Sequence, residues 1–227
     1  MISQRIKNLY LQTLGTASFV NLCYWRLRQH LGNRRRPLFL NLGSGEKYID
    51  GLINIDANLF LKKDLWLDVR WGLPFLDDSV QAIYTCHTLE HFDFRTVQKI
   101  LRECHRVLAK GGGLRMLVPS LEKAIGAFNR GDAGWFPAWP DKYTSLGGRF
   151  NNFLLCRDQH RLMFDFSLSK ELLESLGFCH IQQPPYGVSD LFSSSSLERM
   201  EPEDHRGYHE RSLIVEASKP GQAMTRG

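Results

Sequence analysis

Two apolar runs in this chain stand closer together than an ordinary α/β unit allows. Leu38 to Leu42 leads into a glycine loop, Gly43-Ser44-Gly45, and a second apolar run, Leu52 to Asp56, begins seven residues after Gly45. A glycine loop after a strand lets backbone amides approach a bound ligand closely. The return to a parallel neighbour normally takes a dozen or more residues and a helix. Here there is no room for that helix, and the connection is the first thing any fold for this chain must explain.

The rest of the pattern is that of alternating strands and helices, which points to a parallel sheet covered by helices. Strands are predicted at Leu38 to Leu42, Leu52 to Asp56, Asp64 to Leu67, Ala82 to Cys86, Gly113 to Val118, Phe178 to Ile181 and Ser212 to Ala217. Val97, Ile100, Leu101, Cys104, Val107 and Leu108 follow helical spacing, with Asp93 as N-cap and Gly111-Gly112-Gly113 as the stop. A second helix spans Ser167 to Leu176 and ends at Gly177. Two stretches break the alternation. Residues 120–166 are rich in aromatics and glycine and read as a cap inserted over one end of the sheet. Residues 187–211 contain Ser193-Ser194-Ser195-Ser196 and a charged run and read as a mobile loop.

At 227 residues the chain fits one α/β domain with at most a small accessory piece. A hydrophobic share of 43% and a charged share of 23% argue against disorder. The five cysteines are scattered and form no C-x-x-C pair, which argues against a disulfide framework or a zinc site and for a reducing, cytoplasmic location.

Residues 1–32 are predicted to form an amphipathic helix ahead of a domain spanning 33–227. Ile6, Tyr10, Leu14, Ala17, Val20, Tyr24, Leu27 and Leu31 make its apolar stripe, and Gly32 stops it. Gln12, Thr13, Thr16, Ser18 and Asn21 are too many polar groups for a membrane span. The net charge of +5 is concentrated around this helix, with Arg26, Arg28 and Arg34-Arg35-Arg36 in one cluster. Two readings stay open: packing on its own domain, or contact with an anionic membrane surface.

In an open parallel sheet, ligands bind at the carboxyl ends of the strands, where the topology reverses. Gly43 and Gly45 end the first strand, Asp56 the second, Asp68 follows the third, and Thr85 to His91 follow the fourth. Each suits a nucleoside. A carboxylate after the second strand can accept from both ribose hydroxyls, and one after the third can accept from an adenine amino group. A dinucleotide fingerprint would need a third glycine where Tyr48 stands and an acidic residue about 20 positions on. Asp56 follows Gly43 by 13 positions (56 minus 43), so dinucleotide binding is disfavoured.

The segments "LNLGSGEKYIDGLINID", "DVRWGLPFLDDSVQAIYTCHTLEHF" and "ECHRVLAKGGGLRMLVPS", with "HRLMFDFSLSKELLESLGF" and the closing "ERSLIVEASKP", resemble the class I S-adenosylmethionine-dependent methyltransferases. Within them the chain is most similar to the type-11 group. The resemblance implies a Rossmann-like three-layer sandwich, a seven-stranded mostly parallel sheet whose last strand is antiparallel, and a shortened first crossover. It also implies S-adenosylmethionine as cofactor, held by Asn41, Gly43, Ser44, Gly45, Asp56, Asp68, Val69 and Thr85. Asn41 and Gln81 stand where the superfamily commonly has acidic residues.

His87 and His160 are the candidate catalytic residues, His87 because it follows the fourth strand, where the transferred methyl should lie, and His160 from the cap side. Glu90 and His91 either share that role or merely fix the loop and cap the next helix. Methyl transfer by in-line displacement depends largely on positioning, so a general base is needed only for an acceptor that carries a proton. The expected acceptor is a small or glycan- or lipid-linked molecule, methylated at oxygen, since aromatic faces in the cap suit sugar rings. No nucleic-acid partner is expected, because the basic cluster precedes the first strand. The alternative is a non-catalytic cofactor-binding module that docks on a membrane or a biosynthetic complex.

Overall fold

A computed structural model of the protein describes residues 17–27, 37–201 and 208–221. Its sheet has seven strands: β1 (Leu38–Leu42), β2 (Ile53–Asp56), β3 (Leu65–Trp66), β4 (Val80–Cys86), β5 (Leu108–Pro119), β6 (Cys179–Gln182) and β7 (Ser212–Ser218). They lie in the order β3-β2-β1-β4-β5-β7-β6. Only β7 runs antiparallel to its neighbours, β5 and β6. The order reverses between β1 and β4, so the carboxyl ends of these two strands flank the crevice where such sheets bind ligands.

One face of the sheet carries the main core. Helix α1 (residues 17–27), α2 (Phe94–Val107) and α5 (Phe166–Ser175) cover it through Leu22, Val97, Ile100, Leu101, Leu172 and Leu173. Asp93 caps α2, its side chain accepting from Thr96 N at 2.9 Å. The opposite layer is thinner. It consists of the β1–β2 connection and of the segment leading to the short helix α6 (Ser194–Met200), whose Leu197 and Met200 pack with Phe192 on Tyr84 and Ile214.

The β1–β2 connection contains no helix, and side-chain hydrogen bonds take its place. Asn54, fully buried on β2, accepts through Oδ1 from Asn41 Nδ2 and from Ile49 N, each at 2.9 Å. Its Nδ2 donates to Ile49 O, Leu52 O and Asp64 Oδ2, each at 3.0 Å. Asn41 Nδ2 also reaches Lys47 O at 3.1 Å. Backbone groups that a helix would satisfy internally are thus satisfied by two asparagines. Burial alone would push the Asp64 carboxyl up, but hydrogen bonds from Asn54 and Tyr48 hold it below the usual range. Asn54→Leu strips partners from several of these buried groups and should cost about 3 kcal/mol or more in urea unfolding. A change below about 1 kcal/mol, on the same scale of hydrogen-bond contributions, would show that the connection is held by other means.

Three sequence expectations change. The glycines 111–113 do not end α2, which closes at Val107. They form an irregularity within β5, where pairing with β4 jumps from Val80↔Leu108 to Ala82↔Gly113. A Cβ on Gly112 would lie 2.7 Å from Gln81 O, so no side chain fits there. Of the stretch read as a mobile loop, residues 187–201 include a helix anchored by a few side chains: Ser193 caps α6, and Phe192, Leu197 and Met200 are buried. Residues 202–207 lie outside the described residues, and α7 (Tyr208–Arg211) leads directly into β7.

The third change concerns the N-terminal helix. Its described part docks through Ser18, Asn21, Leu22 and Trp25, with Asn21 Nδ2 donating to Trp66 O at 3.0 Å. The predicted stripe points outward instead: Val20 is 70% exposed and Leu27 62%. Residues 1–16 and 28–36, including the Arg34–Arg36 cluster, lie outside the described residues. Among the described residues no helix is long and apolar enough to cross a membrane.

Residues 120–166, from the end of β5 to the start of α5, carry α3 (Leu121–Asn129) and α4 (Leu146–Leu155). They have a small core of their own, Ala124, Ala127, Phe136 and Phe153, with Trp135 and Phe150 packed against it.

Candidate active site

A cleft of about 590 Å³ opens at the carboxyl ends of β1 to β4. Its walls include Gly43 and Gly45 after β1, Asp56 after β2, Asp68 and Val69 after β3, and His87 after β4. The sequence expectation thus brings residues from four strands to one place.

Gly43 has φ +66°, and a Cβ there would lie 2.3 Å from Thr88 Oγ1. The glycine loop and the turn after β4 therefore touch backbone to side chain, which only glycine permits. Asp56 ties this loop to the next. Its Oδ2 accepts from Gly45 N at 2.8 Å and its Oδ1 from Asn58 N at 2.6 Å. A carboxylate has about four acceptor sites, so two remain for a pair of ribose hydroxyls.

Asp68 is buried and caps the 3₁₀ turn Val69–Trp71. Its carboxylate accepts from Arg70 N at 3.0 Å and takes a forked contact from the Arg70 guanidinium at 2.5 to 3.0 Å. Asp68 N donates to Ser18 Oγ at 3.2 Å, so helix α1 buttresses this wall.

The other expected cofactor residues stand behind the wall. Asn41 spends its amide on Asn54 and Lys47, while Ser44 and Thr85 are buried with hydroxyls that meet no partner among the described residues. None of the three is among the cleft-lining residues.

His87 adopts a left-handed conformation, φ +50°, unusual for a residue with a side chain. Its ring is gripped from both sides, Nδ1 lying 3.2 Å from Glu90 Oε1 and Nε2 2.9 Å from Ser212 Oγ. His160 lies beside His91, ring centroids 5.3 Å apart, and behind the cleft surface formed by Gln159 and Arg161. Burial pushes its pKa down.

A feature that sequence reading missed brings His160 here. Cys156, Arg157 and Asp158 take successive positive φ values of 46°, 54° and 62°, an unusual left-handed turn of non-glycine residues. The chain after the turn is fixed by Arg161 N donating to Glu90 O at 2.7 Å. No composition signal marks such a turn.

Glu90 is the other residue whose importance the sequence left undecided. It is fully buried, and its Oε2 has no hydrogen-bond partner among the described residues. Burial would push the carboxyl up, but the hydrogen bond from His87 and the neighbouring imidazoles His87, His91 and His160 hold it below the usual range.

A family model for a methyltransferase domain matches residues 65–116, which run from β3 through most of β5 and carry Asp68, His87 and Glu90. A crystal structure of an S-adenosylmethionine-dependent methyltransferase from Archaeoglobus fulgidus shares the fold, with 13% identity, coverage of 94% of this chain and 99% of that one, and a TM-score of 0.50. The chain has the Rossmann-like fold of the class I S-adenosylmethionine-dependent methyltransferases and matches the methyltransferase-domain model over residues 65–116.

Two further structures are similar to this chain. One, from Mesorhizobium loti, is 16% identical over 85% of this chain and 95% of that one, with a TM-score of 0.46. The other, Haemonchus contortus phosphoethanolamine N-methyltransferase 2 in complex with S-adenosyl-L-methionine, is 11% identical over 86% of this chain and 52% of that one, with a TM-score of 0.48. No curated protein is significantly similar in sequence. Two features of the cleft suit that cofactor, glycines that allow close approach and an Asp56 carboxylate with two spare acceptor sites, while the Asp68 carboxylate is taken up by Arg70.

Proposed function

We propose that this chain is an S-adenosylmethionine-dependent methyltransferase and that it moves the methyl group to an oxygen of a polar acceptor, a small molecule or a glycan- or lipid-linked one. The observation that supports the acceptor class is the rim beyond His87. There His91, Asp93, Thr96, Gln159 and Arg161 line the cleft, a set of hydrogen-bonding groups suited to hydroxyls. The aromatic cap lends less support than its composition suggested. Trp135, Phe136, Phe150 and Phe153 pack on one another and are not among the cleft-lining residues.

When bound, the cofactor supplies an electrophilic methyl on sulfur. The chain's task is to hold Asp56, Asp68 and the glycine loop around the nucleoside and the acceptor in line with the methyl. His87 serves here as a positioning residue. With one ring nitrogen on Glu90 and the other on Ser212, it fixes the buried carboxylate behind the rim.

The test is mass analysis of products after incubation with S-adenosylmethionine and two acceptor pools, one of saccharides without amines and one of small primary amines. Gain of one methyl in the saccharide pool, resistant to mild acid and base as an ether is, is expected. Methylation confined to the amine pool would contradict oxygen as the acceptor atom.

A further inference from the structure

Glu90, His91 and His160 each present one ligand atom, and the three atoms lie within 4.8 Å of one another. We propose that they form a site for a divalent transition-metal ion, zinc foremost, at the acceptor end of the cleft. The two imidazoles are already set for it. His91 Nδ1 lies 3.1 Å from Gln159 O and His160 Nδ1 lies 3.1 Å from Leu154 O. A carbonyl oxygen only accepts, so each Nδ1 carries the proton and each Nε2 keeps its lone pair. This is how metal-binding histidines are commonly oriented, the second ring nitrogen anchored on a carbonyl or carboxylate.

The third member supplies the independent observation. Glu90 Oε2 is buried without a hydrogen-bond partner among the described residues, while its other oxygen is held by His87. A buried carboxylate oxygen left unpaired is costly, and a cation between it and the two imidazoles would satisfy it. Two histidines and one glutamate make a donor set used for zinc with an open fourth position, and the same set suits iron(II) and cobalt(II). Hard cations such as magnesium prefer oxygen donors throughout. Cysteine spacing could not reveal this site, because it contains no cysteine and His160 joins from the far side of the inserted cap.

His91 is part of the cleft wall, so the open position belongs to the acceptor end. An acceptor hydroxyl bound there would release its proton to solvent water more readily. The resulting alkoxide would attack the methyl carbon, the carbon–sulfur bond would break with its electron pair returning to sulfur, and the products would be a methyl ether and S-adenosylhomocysteine. This use of the metal rests on the oxygen-transfer reading; its binding does not.

The experiment is a titration of the chelator-treated full chain with cobalt(II), without cofactor, followed by visible absorption. One equivalent is expected to bind with the intense absorption of a four- or five-coordinate ion, and one equivalent of zinc should displace it. His91→Ala and His160→Ala should each weaken binding roughly tenfold or more. His91 lies at the cleft wall, so its replacement leaves the fold intact and carries the test should His160→Ala unfold. Absence of stoichiometric binding, or equal affinity in wild type and His91→Ala, would overturn the site. Methyl transfer that persists in a protein shown not to bind metal would sink this inference while leaving the proposed function standing.

Discussion

Arg115→Met is expected to lower the unfolding free energy by roughly 3–5 kcal/mol, the cost of leaving buried charges without their partner. Arg115 sits in the middle of β5 with no exposure. Its Nε and Nη2 donate to the two oxygens of Glu201 at 2.7 and 2.8 Å, and its Nη1 donates to Glu216 at 2.8 Å and to Val188 O at 2.9 Å. Glu201 is 7% and Glu216 2% exposed, so neither can turn to water. The guanidinium thus pins the segment from Val188 to Glu201, including α6, to the back of the sheet. Against typical domain stabilities of about 5–15 kcal/mol, such a loss would bring the fold close to its limit. Combining Arg115→Met with Glu201→Leu and Glu216→Gln should recover most of it, because replacing all members of a buried ionic cluster removes the orphaned charges. Urea unfolding of the two variants is the check. A single variant within about 1 kcal/mol of wild type would show that the carboxylates find other partners or protonate at little cost.

Asp56→Ala should weaken S-adenosylmethionine binding by about 2 kcal/mol or more, roughly a 30-fold loss. Two effects add. The carboxylate that would receive both ribose hydroxyls disappears, and Gly45 N and Asn58 N lose the acceptor that holds the two loops together. Asp56→Asn separates them, since its amide oxygen can still take one of these backbone bonds while the charge is gone. Its affinity is expected between those of the wild type and the alanine variant. Calorimetry that finds unchanged affinity in Asp56→Ala would remove the ribose assignment.

Much of the sheet was legible because strand residues buried on both faces form apolar runs, and all seven predicted strands overlap observed ones. Capping was legible where one side chain decides it, as at Asp93. What escaped depends on contacts distant in sequence. Arg115 meets partners 86 and 101 residues away, so the serine-rich segment looked like a linker when its helix is clamped to the sheet. The helix missing between β1 and β2 was noticed, yet its replacement by Asn54 was not, because a polar residue inside a strand gives no sign of how many backbone groups it will satisfy. The N-terminal stripe was found with the correct helical period. Which face meets the domain was decided by Leu22 and Trp25, with Ser18 accepting from Asp68 N and Asn21 donating to Trp66 O, and periodicity carries no information about those. In the cleft, Gly43, Gly45, Asp56 and Asp68 were readable as strand-end residues. The Glu90, His91 and His160 cluster was not, since it needs the left-handed turn at 156–158 to assemble.

We propose that the crevice between β1 and β4 binds S-adenosylmethionine, as in the class I methyltransferases. Its most direct test is a calorimetric titration of S-adenosylmethionine, and separately of S-adenosylhomocysteine, into the full chain. One site with a dissociation constant in the micromolar range is expected, about 8 kcal/mol of binding free energy. Absence of saturable binding with millimolar ligand, by a chain that unfolds cooperatively and is therefore intact, would contradict it.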